Sequence, residues 1–170
     1  WDLNPPTACT DGRRMFYNPK YVVEQSRQEI LGLIIEETLH CAFQHFARRQ
    51  AREPRRWNFG CDCAILQIVK EAGFDLSQDA LLINFHPMLQ KWPLKKSAEF
   101  YYTMAPEAAK AMTVWVDRSG VVDARDEFGK PLSQEEIETM AKDWELAVNV
   151  AAQLAKGRGK LPGALQDLVE

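Results

Sequence analysis

An α+β fold, mainly helical, is predicted by three features of the 170-residue chain. A strand–turn–strand pattern lies near the N-terminus, two long apolar runs at helical spacing follow it, and a capping box opens a third helical run toward the C-terminus. Hydrophobic residues make up 46% of the chain and charged residues 26%, which suits a single domain over residues 1–170 with a core of ordinary size.

The elements follow in order. Thr10-Asp11-Gly12 is a turn signal and Met15-Phe16-Tyr17 a run of strand formers, so residues 8–18 read as a hairpin. Asn18-Pro19 pairs an N-cap with proline at the first helical position and opens helical sequence that runs, with a break near Ser26, to about Gln50, with Pro54 as the stop. A second helix is predicted from Asn58 as N-cap through Cys61, Ile65, Ile68, Val69 and Ala72 to Gly73. Residues 74–96 have no period and read as loop, before a short helix from Ser97 that carries Phe100, Tyr101 and Met104.

Residues 117–133 are polar and rich in turn signals, and read as a flexible excursion rather than core. Ser133 with Glu136 is a capping box, and Ile137, Met140, Trp144, Ala147, Val148, Ala151 and Leu154 then recur at helical spacing until Gly157. Leu161-Pro162-Gly163 starts another element, and no internal repeat is visible.

Charge and hydropathy exclude several function classes. Lys+Arg 21 against Asp+Glu 24 leaves a net charge of −3, which argues against a coat for nucleic acid or anionic lipid. The longest apolar stretch, Ile30 to Ile35, falls far short of the roughly 20 residues that span a bilayer. The N-terminus lacks the charged lead and apolar run of a signal peptide, so a cytoplasmic protein is expected, and the missing initial Met suggests a piece of a longer chain. Cys9, Cys41, Cys61 and Cys63 are expected to be buried reduced thiols, because Cys61-x-Cys63 has no second knuckle-like pair to complete a structural zinc site.

Chemistry concentrates between Leu31 and Phe43, a stretch almost wholly apolar except for Glu36, Glu37 and His40. Ionised groups in such a helix cost several kcal/mol each unless something pairs with them, and a metal ion is an efficient partner. Glu36 and His40 are one turn apart on one helix face, which suits two ligands converging on one ion. Glu37 lies roughly 100° round the helix from Glu36. That is the place of the general base in the His-Glu-x-x-His motif of zinc peptidases, whose first histidine is here Glu36. Asp62 shares a stripe with Ile65 and Val69 on the second helix and is the candidate third ligand.

A structural reading stands beside this one: Arg48, Arg49, Arg52, Arg55 and Arg56 could pair with Glu36 and Asp62 and leave no need for an ion. The same arginines sit at a helix end, where cations offset the dipole, and this role is favoured over phosphate binding. Trp57, Trp92 and Trp115 read as packing residues. His45 would point roughly 140° from His40 on a continuous helix and could join the site only if the helix ended before it.

Several segments together resemble a known family, the metallopeptidase-like domain that precedes a von Willebrand A-like domain in bacterial and phage proteins. They are Thr10-Asp11-Gly12-Arg13-Arg14 with Tyr17-Asn18-Pro19; Glu37 through His45 with Arg48-Arg49; Trp57-Asn58-Phe59-Gly60-Cys61-Asp62; Ser97 through Tyr101; and Ala152 through Pro162. The resemblance implies a zincin-like fold, with Glu37 in the general-base place, His40 in the second-ligand place and Asp62 in the third. Glu36 stands where the family usually has histidine, and Leu66 where it has asparagine.

Two functions follow as expectations. In the first, Glu36, His40 and Asp62 hold one divalent ion, zinc or alternatively manganese or iron, and Glu37 serves as base for hydrolysis of a peptide or protein substrate, which could add as a strand beside Met15–Tyr17. In the second, the site is inactive, with no metal, and the domain is an interaction module. The resemblance implies a von Willebrand A-like domain and a MoxR-type AAA+ ATPase as partners for either.

Overall fold

The computed structural model of the chain describes residues 5–76, 89, 91–105 and 120–158. Two short antiparallel strands, β1 (Ala8–Thr10) and β2 (Met15–Tyr17), form the predicted hairpin, with Cys9 opposite Phe16. The Asp11 carboxylate builds its turn by accepting from the Arg13 and Arg14 amides, and Gly12 supplies the positive φ of 90° the turn needs. On its other side β1 meets Val121 in a parallel bridge: Thr10 N–H donates to Gly120 O, and Val122 N–H to Thr10 O.

Six helices accompany this sheet among the described residues: α1 (Pro19–Val22), α2 (Arg27–Ala42), α3 (His45–Arg48), α4 (Pro54–Glu71), α5 (Ala98–Met104) and α6 (Gln134–Gly157). Their starts were mostly legible in local chemistry. Asn18 caps α1, Ser97 caps α5, and Ser26 and Ser133 form complete capping boxes with Glu29 and Glu136. Gly73 follows α4 with φ 85°, as a C-terminal glycine should.

Three boundaries differ from the sequence reading. The helix opened at Ser26 does not run to Gln50: it ends at Ala42, Gln44 turns left-handed at φ 54°, and α3 begins at His45. The next helix starts four residues before Asn58, because Pro54 occupies its first turn and Glu53 caps it, accepting from the Arg55 and Arg56 amides. Pro54 therefore opens a helix rather than closing one. The 120–133 part of the expected excursion is built into the core, with Val121, Ala124 and Leu132 buried. The element expected from Leu161, and Trp115, lie outside the described residues.

Packing puts α4 at the centre. Leu39 of α2 meets Ile65 and Val69 of α4, and Phe59, Cys63 and Leu66 on another face of α4 meet Tyr101 and Ala105. A third cluster gathers Phe46, Trp57, Cys61, Ala98, Val121, Ala124, Leu132 and Met140, tying α3, α4 and α6 to the strand region. Leu66, where the resemblance expects asparagine, is thus an apolar core residue. All four cysteines are buried thiols without disulfides. Among the described residues no helix is long and apolar enough to cross a membrane.

Candidate metal centre

Two helices carry the site. Leu39 packs α2 against Ile65 and Val69 of α4, so the polar residues of both helices face the same buried space. Glu36, Glu37, His40 and Asp62 are all buried, Glu37 and His40 completely. The ligating atoms of Glu36, His40 and Asp62 lie within 4.8 Å of one another, so the structure brings these three predicted residues together.

Their contacts are incomplete. His40 Nε2 and Asp62 Oδ1 lie 3.3 Å apart, yet neither atom has a hydrogen bond. The Glu37 carboxylate is completely buried, with the Gly120 amide beside it. Buried polar atoms in folded proteins are nearly always satisfied, so a cluster of unpartnered ones needs an explanation. Burial first, then the charges of Glu36 and Asp62, push the Glu37 carboxyl well above the usual carboxylate range, and the Gly120 amide acts in the opposite direction. A cation among these acids would offset both costs, and two oxygens and a nitrogen form a reasonable donor set for a divalent ion.

Four of the five arginines have partners outside the cluster. Arg48 forms a two-pronged pair with Glu99, Arg49 pairs with Asp123, Arg52 donates to the Arg48 and Arg49 carbonyls, and Arg56 donates to Tyr102 O. Arg52 and Arg56 also lie over the rings of Trp57 and Tyr102. These are structural roles, and the Arg52 contacts are the favoured helix-end reading.

His45 joins the site because α2 ends before it. Its Nδ1 lies 3.0 Å from His40 Nδ1, and the two rings meet edge to face at 5.1 Å. Burial, His40 and Arg48 push the His45 imidazole well below its usual range. His40, His45 and Cys61 form a second, softer group with ligating atoms within 4.8 Å. Burial, aided by Asp62, raises the Cys61 thiol well above its usual value, which favours the protonated thiol there.

Sequence reasoning missed Gly120, whose amide acts on Glu37 from a stretch that reads as linker. One edge of β2, which carries Met15–Tyr17, pairs with β1, and β1 in turn meets residues 120–122.

A family model described as "Putative metallopeptidase domain" matches residues 1–170, the whole chain. The chain belongs to this family. Membership in this metallopeptidase-domain family supports a metallopeptidase-like reading at a coarse level, and the two buried donor groups could hold a metal ion. An uncharacterized protein of Thermotoga maritima is 26% identical over 106 residues, covering 56% of this chain and 27% of the relative. No solved structure matches the chain.

Proposed function

We propose that this chain is a metal-dependent peptide-hydrolase domain of zincin-like fold, with α2 as its active helix. Glu36, His40 and Asp62 would hold one divalent ion, and Glu37 would act as general base. The observation that carries this reading is the unpartnered pair of His40 Nε2 and Asp62 Oδ1, 3.3 Å apart and buried beside two further acids.

A bound divalent ion supplies Lewis acidity toward a water and a peptide carbonyl. The chain supplies the rest. Glu37, buried beside the Gly120 amide, accepts the proton that the attacking water loses and returns it to the leaving amine. Burial keeps competing solvent from the donors. Glu36 in the first-ligand place makes the set more anionic and harder than two histidines and an acid, which shifts its preference from zinc toward manganese or iron.

The test is Glu37→Gln. It keeps the bound metal and loses about 10²- to 10⁴-fold in hydrolysis of an unfolded protein substrate. Hydrolysis at the wild-type rate would contradict the assignment of Glu37.

A second reading is favoured by the complete burial of Glu37 and His40. In it the buried residues hold no ion and serve as scaffold between α2 and α4, no peptide is cut, and the domain acts as an interaction module, for which a von Willebrand A-like domain or a MoxR-type AAA+ ATPase is the proposed partner. Wild-type protein that takes up no metal, cleaves nothing and binds a partner would select this reading.

A further inference from the structure

We infer that His45 is a positioning residue for His40, accepting the His40 Nδ1 proton so that Nε2 presents its lone pair toward Asp62. This rests on the reading of His40 as a ligand. A separation of 3.0 Å between two ring nitrogens requires a proton on one and a lone pair on the other. The His40 nitrogen beside Asp62 is Nε2, so ligation there leaves the His40 proton on Nδ1 and makes His45 Nδ1 the acceptor. Either arrangement leaves one buried Nε2–H without a hydrogen bond, that of His45 in the proposed one and that of His40 in the opposite one, so the choice between them rests on ligation: a His40 protonated at Nε2 could hold no ion there.

The fold fixes His45 for this task. The left-handed Gln44 ends the α2 path and brings His45 back to His40 rather than roughly 140° away. Trp57 Nε1 donates to the His45 carbonyl at 3.0 Å, Phe43 stacks on the ring at 5.8 Å, and Trp57 meets it edge-on at 6.0 Å. A side chain held at its backbone and by two neighbouring rings sets a tautomer in the way that partners behind metal-bound histidines generally do.

The experiment is zinc titration of the whole chain alongside ¹⁵N NMR of the His40 ring. The variants are His45→Phe, which keeps a ring but no acceptor, His45→Asn, which keeps an acceptor near the Nδ1 position, and His40→Ala. The expected result is one zinc per wild-type chain with His40 in the Nδ1–H form. His45→Phe should weaken zinc binding about tenfold to a hundredfold at unchanged stoichiometry, with mixed His40 tautomers, and His45→Asn should recover most of the affinity. If His40→Ala abolishes binding while His45→Phe leaves both affinity and tautomer unchanged, the positioning role is wrong and the metal reading stands. If His40→Ala binds a full equivalent, the metal reading fails and the positioning role with it. Loss of stoichiometry in His45→Phe and in Cys61→Ser, with Asp62→Asn unaffected, would overturn the role by making His45 a ligand of the softer group.

Discussion

His40 Nε2 and Asp62 Oδ1 approach to 3.3 Å across the α2–α4 interface without sharing a hydrogen bond. Both are buried, so water does not screen them as it would a surface pair. Around them Glu36 and Glu37 add two more acids, and burial together with Glu36 and Asp62 penalises the charged form of Glu37, a cost that a cation would offset.

The first prediction concerns that cost. In chelator, Asp62→Asn should melt at a higher temperature than wild type, because it relieves repulsion on Glu37. With zinc at a hundred times its Kd, wild type should gain about 2.7 kcal/mol and the variant much less. Thermal melts with and without chelator check both arms, and a wild-type melt indifferent to metal would count against the account.

Arg48 and Glu99 tie α3 to α5 at 2.9 Å, Nε to Oε1. Burial alone would raise the Glu99 carboxyl, but its hydrogen bonds with Arg48 and neighbouring groups, and the Arg48 charge, outweigh burial and hold it below its usual value. The stabilisation is therefore present above the unfolded carboxylate value of about 4.3 and lost as pH falls through the lower folded value. Because both side chains are about one-third exposed, it amounts to about 1 kcal/mol at most. Denaturant titrations of wild type and Glu99→Gln should differ at pH 7 and converge in acid.

Gly60 lets α4 approach α5, since a Cβ there would come within 2.7 Å of Ala98 O and 3.0 Å of Tyr102 N. Gly60→Ala should cost about 1–3 kcal/mol through forced backbone shifts. Gly157→Ala is the control: among the described residues nothing lies within 4 Å, so the change should be neutral or stabilise by up to about 1 kcal/mol. Chemical denaturation of the two variants gives the comparison.

The thiols should be inert in the folded protein. Burial, with help from Glu37 and Asp11, pushes Cys9 up to about 12, and burial, opposed by the Thr10 hydrogen bond, takes Cys41 to about 11. Iodoacetamide at pH 8 should modify native protein slowly and urea-unfolded protein at all four cysteines, read by intact mass.

Much of this was legible because it is local. Ser26, Ser133, Ser97 and Asn18 announce helix starts through side chains that bond amides two or three residues on. Glu36, His40 and Asp62 were readable as a group because acids and an imidazole on apolar helix stripes have few structural uses. Pro54 is ambiguous in sequence because proline suits both a helix end and a first turn, and the cap before it is Glu53 rather than serine or aspartate. The left-handed turn at Gln44 has no glycine to announce it, so the return of His45 to His40 stayed open until the fold was known. Val121 and Ala124 are buried by pairing and packing with distant segments, which polar neighbours conceal in the sequence.

The most direct measurement is metal content by mass spectrometry, on protein purified without chelator or nickel, with His40→Ala prepared beside it. The account predicts about one equivalent of a divalent metal per wild-type chain and its loss in the variant. Wild-type protein that holds no metal even after zinc and manganese are offered would contradict it.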